Sequence, residues 1–116
     1  MDTELFAGGR IVFITRPVDM RCGFNKLSAY ALTLGLDVKK EPCWLVFMSS
    51  ARGTLKIIHS DDHGIVTIIR RLHSGRFKSL SQRLLLAKTY PLGRAELLDY
   101  LDGSELMEDS SNSDPG

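Results

Sequence analysis

The segment CWLVFMSSARGTLKIIHSDDHGIVTIIRRL, residues 43–72, decides how this chain folds. It holds three apolar runs, Cys43 to Met48, Thr54 to His59 and Ile65 to Leu72, each of strand length and rich in β-branched or aromatic residues. The connections, Ser49-Ser50-Ala51-Arg52-Gly53 and Ser60-Asp61-Asp62-His63-Gly64, are short and full of turn formers, so the runs predict an antiparallel meander. Successive side chains point to opposite faces of a strand. That rule places Leu55, Ile57 and His59 on one face and Lys56 and Ile58 on the other. In the third run Val66, Ile68 and Arg70 oppose Ile65, Thr67, Ile69 and Arg71. Both sets are apolar up to the basic end, so the pattern predicts that something covers each face there.

Upstream, Arg10 to Thr15 (RIVFIT) lies between Gly8-Gly9 and Arg16-Pro17 and predicts a strand with a turn at each end. Asp19 is then placed to cap a helix, with Met20, Phe24, Leu27, Ala31 and Leu34 following at spacings of 4, 3, 4 and 3. Gly35 falls where a left-handed residue would end it. This stripe reads as core rather than as an aromatic and thioether cofactor box. Downstream, His73-Ser74-Gly75-Arg76 predicts a turn and Arg76 to Leu80 a short returning strand. Gln82 to Lys88 (QRLLLAK) reads as an edge strand or extended segment, or alternatively as a short helix. Pro91 introduces a helix from Gly93 to Leu101, with Leu97, Leu98 and Leu101 as its apolar stripe and Gly103 as its stop. The expected fold is α+β, one domain over residues 1–103. In it an antiparallel sheet, the meander plus the N-terminal strand, packs with an amphipathic helix and a C-terminal helix.

The 116 residues are 43% hydrophobic and 25% charged, with 10 Gly and 4 Pro, a globular composition that excludes collagenous and wholly disordered classes. No apolar run reaches the roughly 20 residues of a membrane-spanning helix, and no basic secretion signal opens the chain, so a cytoplasmic location is expected. Cys22 and Cys43, with no CxxC, fit reduced thiols. The net charge of +1 conceals a division at Tyr90. Residues 1–90 hold 14 Lys/Arg against 7 Asp/Glu, whereas residues 91–116 hold Arg94 against 7 acids. From Arg52 to Lys88 the cations Arg52, Lys56, Arg70, Arg71, Arg76, Lys78, Arg83 and Lys88 face only Asp61 and Asp62. That is a candidate polyanion surface, or else the ordinary solvation of a sheet's outer face. Residues 104–116 (SELMEDSSNSDPG) bury too little to repay their ordering entropy and read as a disordered acidic tail. The tail either solubilises the chain or competes with nucleic acid for the basic face.

Catalytic chemistry has little support. His59-Ser60-Asp61-Asp62-His63 gathers imidazoles and carboxylates, the donors zinc prefers, but His73 lies beyond a full strand and turn chemistry accounts for Asp-Asp-His-Gly without a metal. Cys22 and Cys43 lack a base partner, and no GxSxG, Walker, GxGxxG or HExxH pattern occurs. No enzyme activity, cofactor, metal, membrane association or small-molecule substrate is expected.

Two ordered blocks point elsewhere. Pro17, Asp19, Met20, Arg21, Gly23 and Phe24 spell Pro-x-Asp-Met-Arg-x-Gly-Phe between a strand and a helix. The second block comprises Val46-Phe47, Arg52, Leu55-Lys56-Ile57, Asp62 with Gly64, Arg71-Leu72 and Gly75-Arg76-Phe77. In these blocks the chain resembles the TnpB accessory proteins, second-reading-frame products of the IS sixty-six family of insertion sequences, which are unrelated to the RNA-guided nuclease of that name. The resemblance spans residues 8–78 and, more loosely, 93–102. There are two departures: where the family's turn after Val-Phe carries several arginines and an asparagine, Met48-Ser49-Ser50-Ala51 leaves only Arg52, and Lys78-Ser79-Leu80 replaces a Trp-Pro. The resemblance implies a non-catalytic helper of transposition, with cutting and joining done by a separate DDE-type transposase. Its implied partners are that transposase, the element's other accessory protein, and DNA.

Two classes of function follow. In the first, Arg70, Arg71, Arg76 and Lys78 around one turn, with Arg52 and Lys56, contact DNA phosphates and supply affinity with little sequence information. Arg21 reads either as a further phosphate ligand or as a carboxylate's partner that holds helix to sheet. Phe24 and Phe77 read as core rather than as base-stacking platforms. In the second, the chain is a protein-interaction module without direct nucleic-acid binding, favoured by its small net charge and its single turn arginine.

Overall fold

Strands buried on both faces read as continuous apolar runs, and CWLVFM becomes such a strand at the centre of a five-stranded sheet. The computed structural model describes residues 5–79 and 86–102. Its strands are β1 (Arg10–Ile14), β2 (Cys43–Met48), β3 (Thr54–Asp61), β4 (Gly64–Arg71) and β5 (Thr89–Leu92), in the order β4-β3-β2-β1-β5. The meander β2-β3-β4 forms as expected, with Val46 opposite Ile57 and Ile57 opposite Ile68. The sheet is not wholly antiparallel, because β1 lies parallel to β2 with Arg10 opposite Cys43. The helix α1 (Phe24–Thr33) is the cause: it carries the chain back so that β2 starts at the same end as β1.

Among the described residues, α1 and a C-terminal helix pack on opposite faces. Phe24, Leu27 and Ala31 of α1 meet Val12, Ile14, Leu45, Phe47 and Ile58. Leu97 and Leu101 of α2 (Arg94–Asp102) meet Ile11, Phe13, Trp44, Val46, Leu55 and Ile57 on the other side. Cover on both sides explains why all six residues of β2 are buried. On the α2 side His59 is buried too, its ring stacked on Trp44 at 3.8 Å with Nδ1 2.9 Å from the Cys43 carbonyl oxygen.

The helix starts later than expected. Asp19 does not cap it; its carboxylate accepts the Arg21 amide at 2.8 Å, its carbonyl accepts the Cys22 amide, and Gly23 becomes the N-cap. The carbonyls of Met20 and Cys22, which a helix would have used, go to Lys56 instead. The C-terminus follows expectation. Gly35 adopts φ +84°, its amide donates to Leu32, and the Leu36 amide donates to Ala31, the paired bonds of a Schellman ending. At α2 the Glu96 carboxylate reaches back to the Gly93 amide at 2.9 Å, satisfying an otherwise orphaned donor.

Three further expectations need correction. Residues 76–79 form no strand, since Phe77 turns into the core at 1% exposure and its backbone bonds to the β2–β3 turn instead of to a strand edge. The added strand is β5, antiparallel to β1, and Pro91 sits inside it opposite Val12, where an edge tolerates the missing donor. Finally, β4 is not covered on its α1 side: Ile65 and Ile69 are 59% and 56% exposed. Residues 82–85 of the segment read as edge strand or helix, Gly103 and the 104–116 tail lie outside the described residues. Among the described residues no helix is long and apolar enough to cross a membrane.

Candidate functional site

Parallel strands end together, and β1 and β2 therefore deliver Thr15-Arg16 and Met48-Ser49 to one edge of the sheet. Because β3 starts and β4 finishes at that edge, with Thr54 opposite Arg71 and Leu55 opposite Arg70, the first block meets there the Val46-Phe47, Arg52 and Arg71-to-Phe77 parts of the second, whereas Asp62 and Gly64 turn at the opposite end. The Val18 amide donates to the Met48 carbonyl at 3.1 Å, and Pro17, Val18, Asp19 and Met20 line a cleft of about 420 Å³ with Ser49, Ser50 and Ala51.

The residues after β4 fold back on the same edge. Leu72 donates to the Gly53 carbonyl, and the Phe77 amide donates to the Arg52 carbonyl at 2.6 Å. The Arg52 guanidinium in turn donates to the Phe77 carbonyl at 3.2 Å, and the Tyr100 hydroxyl donates to that of Lys78. Arg52 holds this geometry at φ +62°, a left-handed conformation that costs a non-glycine residue roughly 1 kcal/mol. Arg70, Arg71, Arg76 and Lys78 are exposed along the edge so formed, and Arg52 is half-buried beside them.

Lys56 is not on this surface. It is 7% exposed on the α1 face, and its ammonium donates to the carbonyls of Met20 at 2.9 Å and Cys22 at 2.8 Å. A buried cation is tolerable only when its donors are used. Here they pin the Asp-Met-Arg turn to the sheet. Arg21 is likewise engaged, its guanidinium 2.8 Å from the Asp19 carboxylate, which holds that carboxyl down at a pKa of about 2. The bond joins neighbours in one turn and not helix to sheet. Phe24, the first residue of α1, is buried in the core on that face, as Phe77 is on the other.

Two further exposed cations reach the same edge: Lys88, one of the cations of the Arg52–Lys88 stretch, and Arg16, which lies outside that stretch. Arg16 directly follows β1, and Lys88 lies beside it because the Thr15 amide donates to the Lys88 carbonyl at 3.1 Å. The sequence signal for Arg16 is its place at the end of the RIVFIT strand; the β1–β5 pairing is what sets Lys88 beside it. The opposite end of the sheet is mixed in sign, with Lys39, Lys40, Glu41, Asp61 and Asp62 around a second cleft. There the Asp61 carboxylate accepts the amides of His63 and Gly64, which lowers its pKa.

The model of the family described as IS66 Orf2 like protein matches residues 9–109. The chain belongs to this family. Its members are transposition-associated accessory proteins of insertion sequences, and the matched span of this IS66 Orf2-like protein contains both sequence blocks. A search of curated proteins and one of solved structures gave no match.

Proposed function

We propose that this IS66 Orf2-like protein is a non-catalytic, cytoplasmic accessory factor of transposition whose basic sheet edge binds the phosphate backbone of DNA. One observation carries the reading: Arg70, Arg71, Arg76 and Lys78, together with Arg16 and Lys88, are exposed at one end of the sheet. Such side chains give affinity without base readout. The test is fluorescence anisotropy of labelled duplex DNA, random and element-end sequences, titrated with the full chain at two salt concentrations. About four phosphate contacts lower affinity roughly a hundredfold between 50 and 200 mM salt. Absence of binding at tens of micromolar refutes direct contact by the isolated protein.

A second reading makes the chain a protein-interaction module that holds the transposase or the other accessory protein. It is favoured by the cleft between Pro17–Met20 and Ser49–Ala51, where Asp19 is the one charged residue among the described lining residues and is neutralised by Arg21. Binding to transposase that persists at high salt, without DNA affinity, is its expected signature.

A further inference from the structure

A sheet edge presents unpaired backbone groups, and proteins guard such edges with short strands, proline or charge. One edge of this sheet is guarded: β5 has four residues and contains Pro91. The other is open. β4 has eight residues, lacks proline and lysine, and exposes Ile65 and Ile69 at 59% and 56%.

Which backbone groups point outward follows from the hairpin. Leu72 donates to Gly53, and bonding alternates along an antiparallel pair. Arg70, Ile68 and Val66 therefore bond to β3, while the amides and carbonyls of Arg71, Ile69, Thr67 and Ile65 face the open side.

We propose that β4 pairs antiparallel with β4 of a second copy of this chain, about a two-fold axis through Thr67, joining two sheets into one. Residues directly opposed in such a pair share a face, and their outward groups must meet. The register centred on Thr67 satisfies both requirements. Thr67 faces Thr67 of the second copy, Ile65 faces its Ile69, and Ile69 faces its Ile65, so the exposed isoleucines form one apolar stripe across the junction. Val66 falls opposite Ile68 on the other face.

Charge complementarity selects a second copy as occupant. Arginines stand only at the last two positions of β4, and just before it the chain carries Asp61 at the end of β3 and Asp62 in the turn. Self-pairing brings Arg71 opposite His63 of the second copy, beside those carboxylates, and Arg70 opposite Gly64. Opposite charges thus meet at both ends. Arg16, Arg76, Lys78 and Lys88 of each copy lie outside β4 and take no part in the pairing, and the two Arg71 positions stand about 27 Å apart along the strands.

The test is the solution mass of the full chain at about 100 µM, by light scattering after gel filtration. The wild type is expected at about twice the 12.9 kDa of one chain. Thr67→Lys places two like charges at the axis and Ile69→Lys breaks the stripe; each is expected to weaken dimerisation roughly tenfold or more with unchanged circular dichroism. Leu32→Lys, at an exposed apolar residue of α1, leaves it intact. Hydrogen exchange needs no mutation: the amides of Ile65, Thr67 and Ile69 are expected to slow as concentration rises. A monomeric wild type overturns the proposal, as does a dimer that survives Thr67→Lys or leaves those amides unprotected.

Discussion

Arg52 and Phe77 hold each other in both directions: the Phe77 amide donates to the Arg52 carbonyl, and the Arg52 guanidinium donates to the Phe77 carbonyl. This pair fastens the segment carrying Arg76 and Lys78 to the turn between β2 and β3. The fastening accounts for a left-handed arginine where glycine would be the unstrained choice.

Arg52→Ala keeps the strained backbone and loses the side-chain bond, so it is expected to cost about 1 to 2 kcal/mol in urea denaturation. Arg52→Gly loses the same bond but relieves the backbone, and is expected to be less damaging by about 0.5 to 1 kcal/mol.

Lys56 and the exposed cations separate by phenotype. Lys56→Met strands the Met20 and Cys22 carbonyls and is expected to cost about 2 kcal/mol of stability, while the folded fraction keeps its DNA affinity. Arg76→Ala and Lys78→Ala are expected to change stability by no more than about 0.5 kcal/mol. Each should lower the salt slope of DNA binding by about one, read by anisotropy.

The Asp19 carboxyl is expected to titrate near pH 2, below its ordinary 3.8, because the ionised form accepts both the Arg21 side chain and the Arg21 amide. A carboxyl depressed in the folded state contributes stability that is present above 3.8 and lost as pH falls toward 2. NMR titration of the side-chain carbon measures the midpoint, and Arg21→Ala should return it toward 3.8.

Gly9 has no room for a side chain, since a Cβ there would collide with the Pro42 carbonyl just before the β1–β2 pairing begins. Gly9→Ala is expected to cost about 1 to 3 kcal/mol, measured as a lowered urea midpoint at unchanged slope.

By itself the sequence determined the elements whose signals are local. Alternation and turn formers specified the meander, the stripe from Met20 to Leu34 specified α1 though not its start at Phe24, and Leu97, Leu98 and Leu101 specified α2, because side-chain period and turn chemistry act within a few residues. Both family blocks were legible as well, and with them the kind of protein this is. Only the tertiary structure decided that β1 lies parallel to β2 and pairs with β5 across Pro91, since strand partners are chosen by helix cover and chain return rather than by any short pattern. It also divided the basic residues. Lys56 and Arg70 look alike in sequence, yet one ammonium is buried against two carbonyls and one guanidinium is exposed, because burial depends on which face of the sheet a helix and its preceding turn happen to cover.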